Sequence, residues 1–311
     1  MSSLPSIITQ EISAFDKVTN TTYLGQANDK SHIFAGAIDR AWCIGEAPNG
    51  GYVASILLGS VIDHFSQKHQ KDPIAMNCFY LKKSAIGHFI VEVTEIKMSK
   101  KGYCVVRASL KQNKDVKHPL KNVKDYEASE WTEQVQSIIT MGNMDSETGL
   151  TLFTENPKPF SEEHLVPSKL DFMTEYLTVH LDPRYIGTKD KAGKAVVNQR
   201  IGFSDGRLVD FKSIPYWCDM FIPPPNMLGE KVHGGPVWSA TMQLEVQFKA
   251  KIKNDIKEVL AYFVAPHIIN NRCDIDGQLW DRNGNILALT RHQCTIVPWS
   301  RNTKTAPKSK L

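Results

Sequence analysis

One pattern is written twice along this chain, and few folds accommodate it. A strand-like run at residues 32–38 is followed by Asn49, Gly50 and Gly51. An apolar segment over residues 53–62 comes next, with polar residues only from Asp63 onward. Apolar nearly all round, that segment predicts a helix covered on every side, with Asn49 as its N-cap and two glycines that let another backbone approach its start. Four strand-like runs follow, at 74–82, 88–98, 103–112 and 133–141, with β-branched or aromatic residues in partial alternation. Residues 99–102 read as a turn and 113–130 as a polar surface loop. The second copy begins with a strand at 196–203 and an aromatic-rich apolar segment at 214–221. Its strands fall at 238–249, 258–267, 272–280 and 286–297, the last two joined by a hairpin turn at 281–285. One sheet wrapped around one apolar helix leaves an edge and a seam uncovered. A second copy covers them, so the repeat predicts internal duplication.

Composition narrows the function classes. The 311 residues exceed a simple domain and suit two similar halves. The net charge of +4 is too small to argue for nucleic acid or an anionic membrane surface. No apolar run reaches the length of a membrane span, and residues 1–18 lack the basic start and apolar core of a secretory signal. The six cysteines, Cys43, Cys78, Cys104, Cys218, Cys273 and Cys294, form no Cys-x-x-Cys pair and read as reduced, mostly buried small residues. No His or Cys cluster has metal-ligand spacing, so no metal is expected. No Gly-x-Ser-x-Gly elbow is present either, which argues against a serine hydrolase. Residues 142–193 are rich in proline and charge. They read as a linker with some helix, near 163–176, packed on the surface.

The chain closes on Ser309, Lys310 and Leu311, the tripeptide read by the peroxisomal import receptor, after a polar, basic, Pro-containing stretch suited to displaying it. The expectation is a peroxisomal protein with that receptor as a partner, which narrows the chemistry toward acyl-CoA and small oxidative metabolites.

Several motifs resemble the tandem, or double hotdog, acyl-CoA thioesterases, in particular the thioesterase II type and its fungal thioesterase-like relatives. Trp42, Ile44, Gly45 and the run from Ala47 to Tyr52 are similar to that family's opening of the central helix. The segments 76–82, 240–248 and 277–288 are similar to its later strands and closing hairpin. The likeness spans roughly residues 20–300. It implies an α+β double hotdog fold, with an N-terminal hotdog at 20–145, a linker at 146–193, a C-terminal hotdog at 194–300 and a tail at 301–311. Both long helices are wrapped by one continuous sheet, and hotdog sheets often pair further into homo-oligomers. The implied activity is hydrolysis of acyl-CoA by a water held by an Asp, a Thr and a Gln, without a cofactor.

Carried over residue by residue, the Asp is Asp219 and the Thr is Thr241. The Gln falls at or beside His292, with Gln293 next to it. On a strand these two neighbours face opposite ways unless a bulge intervenes. Asp219 has apolar neighbours that would raise its pKa toward that of a general base, and Thr241 and Gln293 would direct the water. Gly50, Gly51 and His292 are candidate substrate-binding groups, and Gly234 and Gly235 offer a second glycine pair for oxyanion donors. Each has a plain alternative: a helix carboxylate, a strand threonine, a solvent-facing strand end, a packing notch and a loop turn. Lysines and arginines near the seam offer charge for CoA phosphates, but no spacing singles one out. A hotdog hydratase or dehydratase would need a paired Asp and His, which no local motif supplies. A non-catalytic acyl-thioester binder is the third possibility.

Overall fold

The computed structural model describes residues 12–153 and 161–303. Ser309, Lys310 and Leu311 lie outside the described residues. A single large antiparallel sheet carries the molecule. Its strands run in the order Thr22–Asn28, Ser31–Ile38, Gly87–Lys97, Cys104–Asn113, Trp131–Gly142 and Asp72–Tyr80. It continues through Val237–Phe248, Ile286–Pro298, Arg272–Trp280, Glu258–Val264, Val196–Phe203, Leu177–Leu181 and Val166–Ser168. The order is palindromic. In each half the strand after the central helix lies innermost, and the two innermost strands pair across the seam, Leu244 opposite Cys78 and Val246 opposite Met76. These four side chains are fully buried. The duplicated pattern thus becomes one sheet of two hotdog units.

The first half holds the expected helix, Gly50–Phe65, with Asn49 Oδ1 accepting from the Tyr52 amide at 2.8 Å. Residues 51–61 are buried without interruption, since the sheet curls around the helix. Removing a buried leucine such as Leu57 should destabilise by roughly 2–5 kcal/mol.

The second half departs from the expectation of two long helices. A 3-10 turn at Phe211–Ser213, closed by a reciprocal Asp210–Ser213 capping box, leads into one α-helical turn, Ile214–Trp217. Pro215 suits a first turn, but Pro223, Pro224 and Pro225 supply no N–H and bar the residues before them from helical geometry. The chain leaves the helix at Cys218 and continues as a 3-10 turn, Pro224–Leu228. Residues 163–176 contain a short edge strand, Val166–Ser168, and turns in place of the expected helix. Leu177–Leu181 pairs with Val196–Phe203, as Thr22–Asn28 pairs with Ser31–Ile38. The second unit of the sheet therefore takes in residues that the sequence assigns to the linker. Val166–Ser168 is three residues long with a proline inside it, and Thr22–Asn28 is mostly exposed without alternating burial, which is why neither edge reads clearly.

Aromatic rings lock the halves together. Phe15, from a short N-terminal helix (Ala14–Thr19), lies 5.5 Å from Trp42, 4.8 Å from Phe203 and 5.2 Å from Tyr216 between ring centres. Phe203 in turn lies 4.4 Å from Trp217. Arg207 and Lys212 both bond Asp16, fastening that helix to the cap of the short second helix. Burial opposes ionisation of Asp16, but the two cations outweigh it and hold the carboxyl well below its usual range. All six cysteines are free and buried.

Candidate active site

The site forms where the start of the long helix meets the end of the short one. A Cβ built on Gly51 would lie 2.6 Å from Pro215 O and 2.8 Å from Asp219 Cβ, and one on Gly50 would lie 3.0 Å from Asp219 Oδ2. The two glycines therefore allow the crossing of the helices. Closeness makes a bond: the Gly51 amide donates to Asp219 Oδ2 at 2.6 Å, at the positive end of the long helix. Tyr80, on the innermost strand of the first half, donates to Gly50 O at 2.7 Å and closes the other side. Gly51 is thus committed to Asp219 and is not open to a substrate carbonyl. Around Gly234 and Gly235 an added Cβ would meet nothing within 4 Å, so that pair is a loop turn.

On the opposite wall stands His292. Its Nδ1 lies 3.4 Å from Asp219 Oδ1, and its Nε2 lies 2.8 Å from Thr241 Oγ1. The Asp219 and His292 side chains are 9% and 5% exposed, which makes desolvation the governing influence on both. Burial raises the Asp219 pKa, against the His292 charge and the Gly51 and Gly50 amides, which lower it. Burial lowers the His292 pKa, opposed by the Asp219 carboxylate. Thr241 is partly exposed, so the chain of contacts runs from a buried acid, through a buried imidazole, to the hydroxyl of a half-buried threonine.

A bulge decides which residues face this chain. Thr241 pairs with Cys294 and Gln243 with Gln293, leaving Met242 without a partner. Without the extra residue Thr241 would share a face with Gln243, Glu245 and Gln247. The bulge turns it to the inner face with Leu244 and Val246. The neighbouring strand is regular through this stretch: His292, opposite Ile275, points inward, while Gln293, opposite Asp274, points outward. There the Gln293 amide donates to Asp274 Oδ1 at 3.1 Å. The structure therefore brings Asp219, Thr241 and His292 together with Gly50 and Gly51, and leaves Gln293 on the far face. Strand alternation is the reason: of the two neighbouring positions at which the Gln was expected, the inward-facing one is His292. Tyr80 lies in the strand segment that the resemblance picked out, but nothing in the sequence singled it out as a site residue. Its inward parity with Met76 and Cys78 was the nearest signal.

One further cluster gathers potential metal ligands. His32, His64 and Glu95 present ligand atoms within 4.8 Å of one another. They come from two strands and a helix, which spacing along the chain cannot reveal. Glu95 Oε1 has His64 Nε2 at 2.9 Å and Lys68 Nζ at 3.1 Å, and burial lowers the His64 pKa. Among the described residues no helix is long and apolar enough to cross a membrane.

Comparison with known proteins places this geometry in a family. Residues 38–121 match the model of the acyl-CoA thioesterase N-terminal domain, and residues 154–296 match that of the acyl-CoA thioesterase C-terminal domain. The thioesterase-like protein TwmA of Talaromyces wortmannii is 21% identical over 88% of this chain and 90% of its own length. A putative thioesterase II from Thermobifida fusca YX superposes with a TM-score of 0.72 at 14% identity, over 92% of this chain and 98% of the other. A hot dog fold protein of unknown function from Alicyclobacillus acidocaldarius superposes with a TM-score of 0.70 at 17% identity, over 96% of this chain and 100% of the other. With both halves matched in order, and one sheet built from two hotdog units around a site at their seam, the chain belongs to the double hotdog acyl-CoA thioesterase family.

Proposed function

We propose that the protein hydrolyses acyl-CoA thioesters to the free acid and CoA, with Asp219, His292 and Thr241 as the reacting group. The observation that carries this reading is the contact chain from Asp219 through His292 to the Thr241 hydroxyl, at 3.4 Å and 2.8 Å. Hydrolysis needs a base that is unprotonated near pH 7 and a hydroxyl or water beside it. A buried imidazole with a depressed pKa supplies the first. The carboxylate behind it stabilises the imidazolium that forms as the proton arrives. Gly51 fixes the carboxylate through its backbone amide, so the acid does not reorganise during the reaction. The 3.4 Å contact is of the loose kind that tightens when substrate fills a site.

A thiol-release screen over short, medium, long and aromatic acyl-CoAs tests the reading. CoA release with equimolar acid is expected for at least one class. Binding without any release would reduce the protein to an acyl-thioester binder.

A second reading draws on the same pair. Hydration of enoyl thioesters calls for an Asp and a His acting together, and tertiary structure assembles such a pair from residues 73 apart in the chain, 292 minus 219. Water addition to an enoyl-CoA without thiol release would favour it. The Thr241 hydroxyl on His292 Nε2 favours hydrolysis.

The Ser309–Lys310–Leu311 sequence supports a further proposal, import into peroxisomes through the receptor that reads it. A fluorescent fusion carrying the native last residues should be punctate and become diffuse when Leu311 is removed. Diffuse signal in both would overturn the proposal.

A further inference from the structure

We propose that His32, His64 and Glu95 bind a divalent transition-metal cation of the zinc class, at a place the thioester reaction does not use. Strand pairing and a helix end build the site. His32 lies opposite Val93 on the paired strands Ser31–Ile38 and Gly87–Lys97. Alternation sets His32, Phe34, Val93 and Glu95 on one face, and Phe34 and Val93 are buried there. His64, the second-last residue of the helix Gly50–Phe65, comes down on that face. Its ring centre lies 4.3 Å from that of His32, and its Nε2 lies 2.9 Å from Glu95 Oε1.

The donor set, two imidazoles and one carboxylate, suits zinc and its first-row neighbours, whereas magnesium and calcium take oxygen ligands. The three residues offer ligand atoms within 4.8 Å of one another. Side-chain rotations close that spacing to the about 3.3 Å that separates ligands on one tetrahedral zinc. The His64 side chain is 8% exposed, so packing already fixes this ligand. Tyr23 Oη lies 3.1 Å from His32 Nδ1, an outer contact of the kind that orients a ligating imidazole. With Nδ1 so held, Nε2 is the nitrogen left for a metal. A cation already sits here. Lys68 Nζ lies 3.1 Å from Glu95 Oε1, beside the C-terminal end of the helix, where the helix dipole favours positive charge. Its side chain is 33% exposed, and Nζ also lies 5.4 Å from the centre of the Phe65 ring. The ammonium can therefore give up the carboxylate to a doubly charged ion and keep the ring and solvent.

The site stands at the far end of the long helix from Gly50 and Gly51. His64 follows Gly50 by 14 residues, 64 minus 50, which is about 21 Å of helix. A bound ion joins the helix end to two strands of the first half. It stabilises the folded state, which holds the three ligands together, over the unfolded chain, which does not.

The test uses the full-length protein, treated with a chelator and dialysed, with zinc chloride as the probe. Calorimetric titration should find one zinc per chain, and zinc should raise the melting temperature by a few degrees, while magnesium chloride does neither. His64→Ala and Glu95→Gln should each weaken zinc binding by roughly tenfold or more. Lys68→Met removes the competing ammonium and should tighten it by roughly three- to tenfold. Cobalt bound to the unaltered protein should show d–d bands without a thiolate charge-transfer band, which separates this site from the six cysteines. Absence of zinc uptake by the parent overturns the proposal. Uptake that survives both His64→Ala and Glu95→Gln, a thiolate band, or unchanged affinity in Lys68→Met overturns it as well. The cobalt spectrum is read on unaltered protein and Lys68 is on the surface, so a poorly folding His64 variant does not spoil the test.

Discussion

The two halves share a strand order and differ in what they wrap. The first encloses a helix of 16 residues, and the second a single turn of 4. The long helix contributes its N-terminal amides. The short one, cut off ahead of Pro223, Pro224 and Pro225, contributes the residue just past its end, Asp219. A second long helix would carry Asp219 onward along its own axis, whereas ending it sets the carboxylate against Gly51. Duplication supplied a continuous sheet, and loss of symmetry inside it supplied a site. The sheet's hydrogen bonds are repeated and interlocked, so its strand order resists change. A helix covered by the sheet is held mainly by apolar burial, which a shorter segment rich in Tyr216, Trp217 and Phe221 also provides.

The contrast is broken most severely at Asp219. Asp219→Asn keeps the shape and removes the charge, and should lower kcat/KM for thioester cleavage by roughly 10³-fold with an unchanged melting temperature. A loss below tenfold would remove Asp219 from the reaction. Next come the glycine pairs. Gly51→Ala sets a Cβ 2.6 Å from Pro215 O, so denaturant unfolding should show a loss of about 1–3 kcal/mol along with most of the activity. Gly235→Ala, with nothing within 4 Å, should stay within about 0.5 kcal/mol of the parent.

The fastening between the halves is smaller in effect. Arg207→Ala leaves Asp16 with Lys212 alone among its two cationic partners and should cost roughly 1–3 kcal/mol near neutral pH. The Asp16 pKa in the folded protein lies below its ordinary 3.8. Its contribution is therefore present above that value and fades as pH falls through the lower, folded one. The variant's deficit should shrink in strongly acidic urea titrations. The pH profile sharpens the site in turn. His292 must be neutral to accept a proton and its pKa is lowered, so the acid limb of kcat/KM should have its midpoint below the ordinary histidine value of 6.5. Residual activity of Asp219→Asn should show that limb lower still, because the carboxylate that favours the imidazolium is gone. A limb above 6.5 in the parent would contradict the buried imidazole as base. Gln293→Ala should have the least effect, under about threefold in kcat/KM and about 0.5 kcal/mol in stability, since its partner Asp274 lies on the outer face.

How legible this protein is from its residues depends on how local each signal is. Apolar periodicity over residues 53–62 and the strand runs of both halves state the fold, because burial patterns repeat every two or three to four residues. The strands at 196–203 and 272–280 coincide with the predicted ones. Asp219 and Thr241, the two residues the resemblance singles out, both lie against His292 in the structure. The third partner did not follow in the same way, since motif counting lands on two neighbours and only strand parity separates them. The short edge strands carry little pattern, and the His32, His64 and Glu95 cluster carries none.

The amino-acid sequence by itself therefore determined the duplicated sheet and the wrapped first helix, both consequences of local burial, whereas the second helix, expected to be long, is cut to one turn in the structure. Tertiary structure alone decided that His292 faces Asp219, that Gln293 turns away, and that one unpaired residue at Met242 swings Thr241 inward. Those choices depend on register between strands about 50 residues apart and on the closeness of two helices that only Gly50 and Gly51 permit.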